Sequence, residues 1–150
     1  MSGPRCLPAA GRLVGLDLGE RRIGVAVCDS AQRLATAAAT IVRGRDGAGD
    51  RARVAAMVEE YGAAGVVVGL PISLSGQLGP AARAAAGEAR ALATLLDVPV
   101  ATHDERLTTV SATRALHAGG RRVRQHRGVV DQVAAAVMLQ SWIDQRMGED

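Results

Sequence analysis

The 150-residue chain contains no lysine, and every one of its non-histidine basic side chains is an arginine. That excludes a P-loop lysine, a Schiff-base lysine and a serine–lysine dyad. It has no phenylalanine, one tryptophan (Trp142) and one tyrosine (Tyr61). A core must therefore come from aliphatic packing and close backbone approach. Base stacking on aromatic rings is also a poor basis for any recognition of nucleic acid. Cysteine is scarce: Cys6 and Cys28 stand far apart and form no CxxC. With His103, His117 and His126 scattered, no zinc pattern appears. There is no signal-peptide apolar region and no long apolar span, which points to a reducing cytoplasm. Cys6, near the N-terminus, reads as an idle thiol in preference to an intermolecular disulfide.

The apolar fraction of 48% is mostly Ala, Val and Leu, and the length suffices for one domain with a real core. Net charge is +3, and the calculated pI is about 9.6. Such a balance mildly favours an acidic partner such as nucleic acid. Residues 1–10 hold two prolines and a glycine and read as a disordered leader. That leaves 11–150 as a single domain with no internal repeat.

Residues 11–27, GRLVGLDLGERRIGVAV, organise the rest. Two apolar runs, Leu13 to Leu18 and Ile23 to Val27, flank the turn Gly19–Arg22 and predict a hairpin. The Ala- and Thr-rich stretch 34–42 predicts a third strand, antiparallel to the second. Residues 43–50 read as a polar loop and 51–61 as a helix ended by Gly62. GVVVGL (65–70) is a continuous apolar run, the pattern of a strand buried on both faces. A Ser/Gly loop (Ile72–Gly79) precedes an Ala-rich helix over 80–96. A buried strand follows over 98–102. Thr108 or Thr109 caps a helix to Ala118, stopped by Gly119-Gly120. Residues 121–128 read as a basic linker and 129–147 as the last helix. Three strands, then alternating helices and strands, predict an α/β fold: a mixed sheet with helices on both faces.

Three carboxylates stand in unusual places. Asp17 lies inside the first strand between Leu16 and Leu18, where an unpaired charge is costly; alternatively it starts the turn. Glu105 falls between a buried strand and a helix, where α/β sheets collect their sites; alternatively it belongs to an acidic pair favoured by the helix dipole. Asp131 borders the apolar stripe Val130, Ala134, Val137 and Met138, or is a first-turn acid of the last helix. Together they can converge at one edge of the sheet. Ionised, they would repel one another unless cations lay between them. An all-oxygen donor set suits Mg²⁺ or Mn²⁺, and two such ions can promote hydrolysis of a phosphodiester.

GLDLGERRIGVAV (15–27), VVVGLP (66–71), DERLTT (104–109) and VVDQVAAAVML (129–139) make the chain resemble the YqgF family, also called RuvX, of the ribonuclease H-like superfamily. The resemblance spans nearly everything after residue 11. It implies a ribonuclease H-like fold with a five-stranded mixed sheet, and a metal-dependent nuclease using Mg²⁺ or Mn²⁺, with two ions expected. Asp17, Glu105 and Asp131 match the family's acidic positions, as catalytic residues and metal ligands. The family is linked to maturation of the 5′ end of 16S ribosomal RNA and to Holliday junction resolution. The loop after VGLP often reads N-M-D-G in the family; here Ser73-Leu74-Ser75-Gly76 lacks the Asp.

From Arg106 to Val130 there is no acidic residue. Arg106, Arg121, Arg122, Arg124 and Arg127 are the candidate substrate-binding residues, since guanidinium grips phosphate bidentately. The competing view is an ordinary solvated charge run. Arg21 and Arg22, in the hairpin turn, read as solvated, with contact to the substrate as the lesser alternative. The expected substrate is structured RNA, cleaved by a monomer or weak homodimer; the alternative is branched DNA, cleaved by a homodimer. Trp142 and Cys6 are the candidate dimer contacts, each better read as structural or idle. Two rivals remain: an actin-like ATPase, disfavoured because this chain holds only one such domain, and a nucleic-acid-binding module without catalysis.

Overall fold

A computed structural model describes residues 6–72, 75, 77–105 and 123–148; for 123–129, 147 and 148 it describes the backbone alone. Five strands form one sheet: β1 (Leu13–Leu18), β2 (Arg22–Cys28), β3 (Ala35–Val42), β4 (Gly65–Leu70) and β5 (Val100–Asp104). Their order is β3-β2-β1-β4-β5. β1–β2 and β2–β3 pair antiparallel, whereas β1–β4 and β4–β5 pair parallel. The described helices are α1 (Gly47–Glu60), α2 (Pro80–Leu95) and α3 (Val123–Gly148).

Side chains alternate across a strand, and the core divides accordingly. Val14, Leu16, Val25, Val66 and Val68 pack with Val54 and Val58 of α1 and Leu92 of α2. Leu13, Ala26 and Val67 pack on the other face with Ala134, Ala135, Met138 and Leu139 of α3. Helices thus cover both faces, as the strand and helix order predicts.

Several boundaries differ from the sequence reading. α1 begins inside the expected loop because Asp46 caps it, accepting a hydrogen bond from Gly49 N at 2.8 Å. Its glycines obscure that start. β5 runs two residues later than expected, which brings Glu105 directly after its end. The expected linker 121–128 is helical from Val123 onward. Arginine is a good helix former, and one Gly128 costs only about 1 kcal/mol. Asp131 is therefore well inside α3 and is not a first-turn acid.

Residues 6–10 also depart from the expected leader. Leu7 is buried against the α3-face core. Arg146 Nη2 donates to Leu7 O at 2.6 Å and Nη1 to Pro8 O at 2.9 Å. Gln32 Nε2, from a residue in the left-handed region, donates to Pro8 O and Gly11 O. The Arg146 guanidinium also lies 4.9 Å from the Trp142 ring centroid, and Trp142 packs against the same core. These contacts give Trp142 a structural role. Cys6 is exposed and Cys28 buried, where the Cys28 sulfur accepts from Leu13 N at 3.2 Å. Residues 1–5, the 108–118 helix, and Ser73, Leu74 and Gly76 lie outside the described residues.

Candidate active site

Asp17 is the fifth residue of β1 and is 3% exposed. Its partner across β2 is Gly24. On the other side, Leu16 pairs with Val68, so one further step brings Gly69 of β4 level with Asp17. Gly69 pairs with His103 of β5. Asp17 therefore stands in a row across the sheet with a glycine on each side. Cross-strand partners share a face, and here it is the face covered by α3.

The two glycines admit the α3 backbone at Asp131 on one side and the Glu105 side chain on the other. A methyl group on Gly24 would collide with the backbone carbonyl of Asp131, so α3 rests directly on β2 at that point. A Cβ on Gly69 would lie 3.2 Å from Glu105 Cδ and 3.1 Å from Met138 Cγ. The Glu105 side chain thus lies over β4, beside Asp17's strand. A strand glycine often marks such close approach of another backbone. Neither glycine is prominent in the sequence, although that rule supplied the signal.

Glu105 is 9% exposed, and its Oε1 is sealed from solvent. Burial pushes its carboxyl pKa up from the usual value, and the neighbouring Asp104 charge adds to the rise. His103, in the same row, is buried with Nε2 3.1 Å from Ser141 Oγ. Burial lowers its pKa, opposed by Asp104.

Asp131 is half-buried and accepts from Arg22 Nε on Oδ2 at 3.0 Å. Arg22 is thus not the solvated turn residue expected from sequence. The partners are 109 positions apart, so local reading could not join them. Among the described residues, no three His, Cys, Asp or Glu side chains are gathered closely enough to hold a metal as they stand. The donor chemistry of Asp17, Glu105 and Asp131 nevertheless fits a hard divalent cation: all oxygen, with two carboxylates buried.

The hairpin turn that follows Asp17 is braced from β3. Arg43 Nη1 donates to Gly19 O at 2.8 Å, and Arg43 Nε to Asp50 Oδ2 at 3.2 Å. Gly44 N donates to Asp50 Oδ1 at 2.8 Å. That backbone bond, aided by Arg43 and Arg53 and opposed by burial, holds the Asp50 carboxyl below the usual range. The sequence reading placed Asp50 in a plain polar loop.

Of the five candidate substrate-binding arginines, Arg106, Arg121 and Arg122 lie outside the described residues, while Arg124 and Arg127 lie on the helical backbone of α3. At spacings of three and four, Arg124, Arg127 and Asp131 share one helical stripe.

Residues 11–145 match the RuvX family model, described as Holliday junction resolvase. A Mycolicibacterium paratuberculosis protein named "Putative pre-16S rRNA nuclease" is 49% identical over 140 residues, or 93% of this chain and 83% of that protein. One of the same name from Anaeromyxobacter dehalogenans is 47% identical over 135 residues, 90% of this chain and 98% of that protein. The solved structure of T. thermophilus RuvC in complex with Holliday junction substrate has TM-score 0.54 at 20% identity, covering 92% of this chain and 96% of that one. At that identity the likeness is one of fold, and the expected ribonuclease H-like architecture is borne out.

Proposed function

The chain belongs to the RuvX family, and on that premise we propose that it is a divalent-metal-dependent endonuclease acting on structured RNA. The observation that carries this reading is the glycine–Asp17–glycine row, with Glu105 over one glycine and the α3 backbone at Asp131 over the other. A buried carboxylate flanked by two residues without side chains leaves room for two further acids.

Asp17, Glu105 and Asp131 are the proposed ligands of Mg²⁺ or Mn²⁺, two ions in all. Such ions, when bound, supply the Lewis acid that activates water and stabilises the leaving oxygen. The protein's own contribution is positioning. β1 fixes Asp17 rigidly, because it lies within a strand paired on both sides. Gly24 and Gly69 set how closely the other two acids approach. Burial, with the Asp104 charge beside it, raises the pKa of Glu105, and a bound cation would offset that penalty on its charged form. Arg124 and Arg127, on the Asp131 stripe of α3, with Arg106, Arg121 and Arg122, bind the phosphates flanking the cut. Recognition rests on backbone and shape.

The names of the relatives support precursor 16S ribosomal RNA as substrate; our reading places its cleavage in the cytoplasm, by a monomer or weak homodimer. No helix among the described residues is long and apolar enough to cross a membrane. The family description supports a second reading, resolution of a four-way DNA junction. Symmetric resolution needs two sites related by a two-fold axis, hence a dimer.

The deciding experiment is parallel cleavage of a precursor 16S leader and a synthetic four-way junction with Mg²⁺ or Mn²⁺, beside sedimentation. Asp17→Asn should abolish cleavage while leaving nucleic-acid binding largely intact. Unchanged metal-dependent cleavage by that variant would end the reading. A stable dimer that cuts the junction in symmetric pairs and ignores the leader would replace RNA with branched DNA.

A further inference from the structure

Arg22 opens β2, and its carbonyl accepts from Gly19 N at 2.9 Å, which ties its backbone into the hairpin turn. Two residues on, Gly24 seats the carbonyl of Asp131. One strand therefore both seats α3 and grips its carboxylate. The side chains of the pair are 28% and 19% exposed, and a part-exposed pair adds little to stability. Its position is the informative feature: a permanent cation already engages one of the three acids, and those acids are not gathered as a metal cluster.

We propose that Arg22 is an internal counter-cation. It holds Asp131 in the metal-free protein, a divalent ion displaces it, and the released guanidinium then binds a substrate phosphate. This rests on the nuclease reading above. A guanidinium stays charged at any ordinary pH, so the contact does not open by deprotonation of Arg22, and a competing cation can open it. Nε makes the present bond, and the part-exposed remainder of the fork lies beside the site. Once released from Asp131, the edge of the fork that includes Nε can meet a phosphate bidentately. Metal loading and substrate grip thereby become linked: the phosphate contact is available only after the ion has taken Asp131.

The test titrates Mn²⁺ calorimetrically into wild type, Arg22→Gln and Arg22→Lys without nucleic acid. Removing the competitor should tighten Mn²⁺ binding roughly threefold in Arg22→Gln, the scale of one part-exposed ion pair, with Arg22→Lys in between. Binding to a phosphorothioate-substituted single-stranded RNA, chosen to slow cleavage, is then measured against salt. In Mn²⁺ the log–log slope of Arg22→Gln should be shallower than wild type by about 0.7; without metal the two slopes should coincide. Equal or weaker Mn²⁺ binding by Arg22→Gln overturns the proposal, as does a slope change that is the same with and without metal. Should Arg22→Gln not fold, the wild-type Nε–H resonance, identified by its loss in Arg22→Lys, must shift on adding Mg²⁺; no shift overturns the proposal. Wild type that binds metal and cleaves, with Arg22→Gln unaltered in affinity, removes only the counter-cation role. A wild type that binds no divalent ion removes the nuclease reading as well.

Discussion

Replacing Gly24 with alanine tests whether the seat of α3 sets the active site. The added methyl would meet the carbonyl oxygen of Asp131, a backbone atom that cannot rotate away. α3 would have to shift outward locally, or β2 to bend. Overpacking of this kind costs about 1–3 kcal/mol, and a backbone obstacle points to the upper end. For a domain of this size, about 3 kcal/mol lowers Tm by roughly 10 °C. The effect on chemistry should be larger, because a displacement of about 1 Å at a reacting group can cost 10²-fold in rate. Gly15→Ala is the control. Its methyl would lie 2.9 Å from Leu139 Cβ, eight residues along α3 from Asp131 and so about 12 Å away. Both variants should melt lower, by circular dichroism. Only Gly24→Ala should also lose about two orders of magnitude of metal-dependent cleavage, measured well below its own Tm. A Gly24→Ala protein that melts lower yet cleaves like Gly15→Ala would refute the reasoning, since α3 seating would then matter to stability alone.

Asp50→Asn should cost about 2 kcal/mol at neutral pH, because it weakens charge-assisted bonds from Gly44 N and Arg43. Since the folded pKa of Asp50 is lowered from 3.8, its stabilisation is present above that value and fades as pH falls through the folded one. The variant's melting curves should accordingly show a flatter acid limb than wild type. Glu105→Gln has the opposite sign. The folded pKa is raised from 4.5, so wild type loses stability as pH rises from there through the folded value. Without metal, the variant should melt above wild type at pH 7 and close to it at pH 4; a lower Tm at pH 7 would contradict the burial penalty. Leu7→Ala should destabilise by about 2–3 kcal/mol with metal-dependent cleavage retained, and no change in Tm would restore residues 6–10 to a leader.

The sheet and its helices were largely legible because they rest on local periodicity. The hairpin around Asp17 and the doubly buried run 65–70 have the patterns their burial demands. Helix starts were read late where glycine or dense charge masked them, at Gly47 and Val123. The burial of Leu7 could not be read, since it depends on Arg146 and Gln32 arriving from distant positions. The three acids stand out in the sequence as candidates because each sits in an apolar or end-of-element setting and matches an acidic position of the resembled family. The glycines that flank Asp17, and the arginine that grips Asp131, come together only after the chain closes.

The same geometry explains how the fold tolerates its acids before a cation arrives. Three ionised carboxylates on one face of a sheet would oppose folding. The chain distributes the problem. Asp131, the most exposed of the three, meets a guanidinium at 3.0 Å. Glu105, buried beside Asp104, is instead driven toward its neutral form. Asp17 stands between two glycines, with no bulky side chain from either strand crowding it. A divalent cation at the proposed site would reverse both relief devices, by competing with the guanidinium and compensating Glu105's charge when its proton leaves. Metal binding should therefore release protons at mildly acidic pH, in an amount that Glu105→Gln abolishes. Calorimetric Mn²⁺ titrations in two buffers of different ionisation enthalpy measure that release. Equal proton release by wild type and Glu105→Gln would show that Glu105 is already ionised in the metal-free fold.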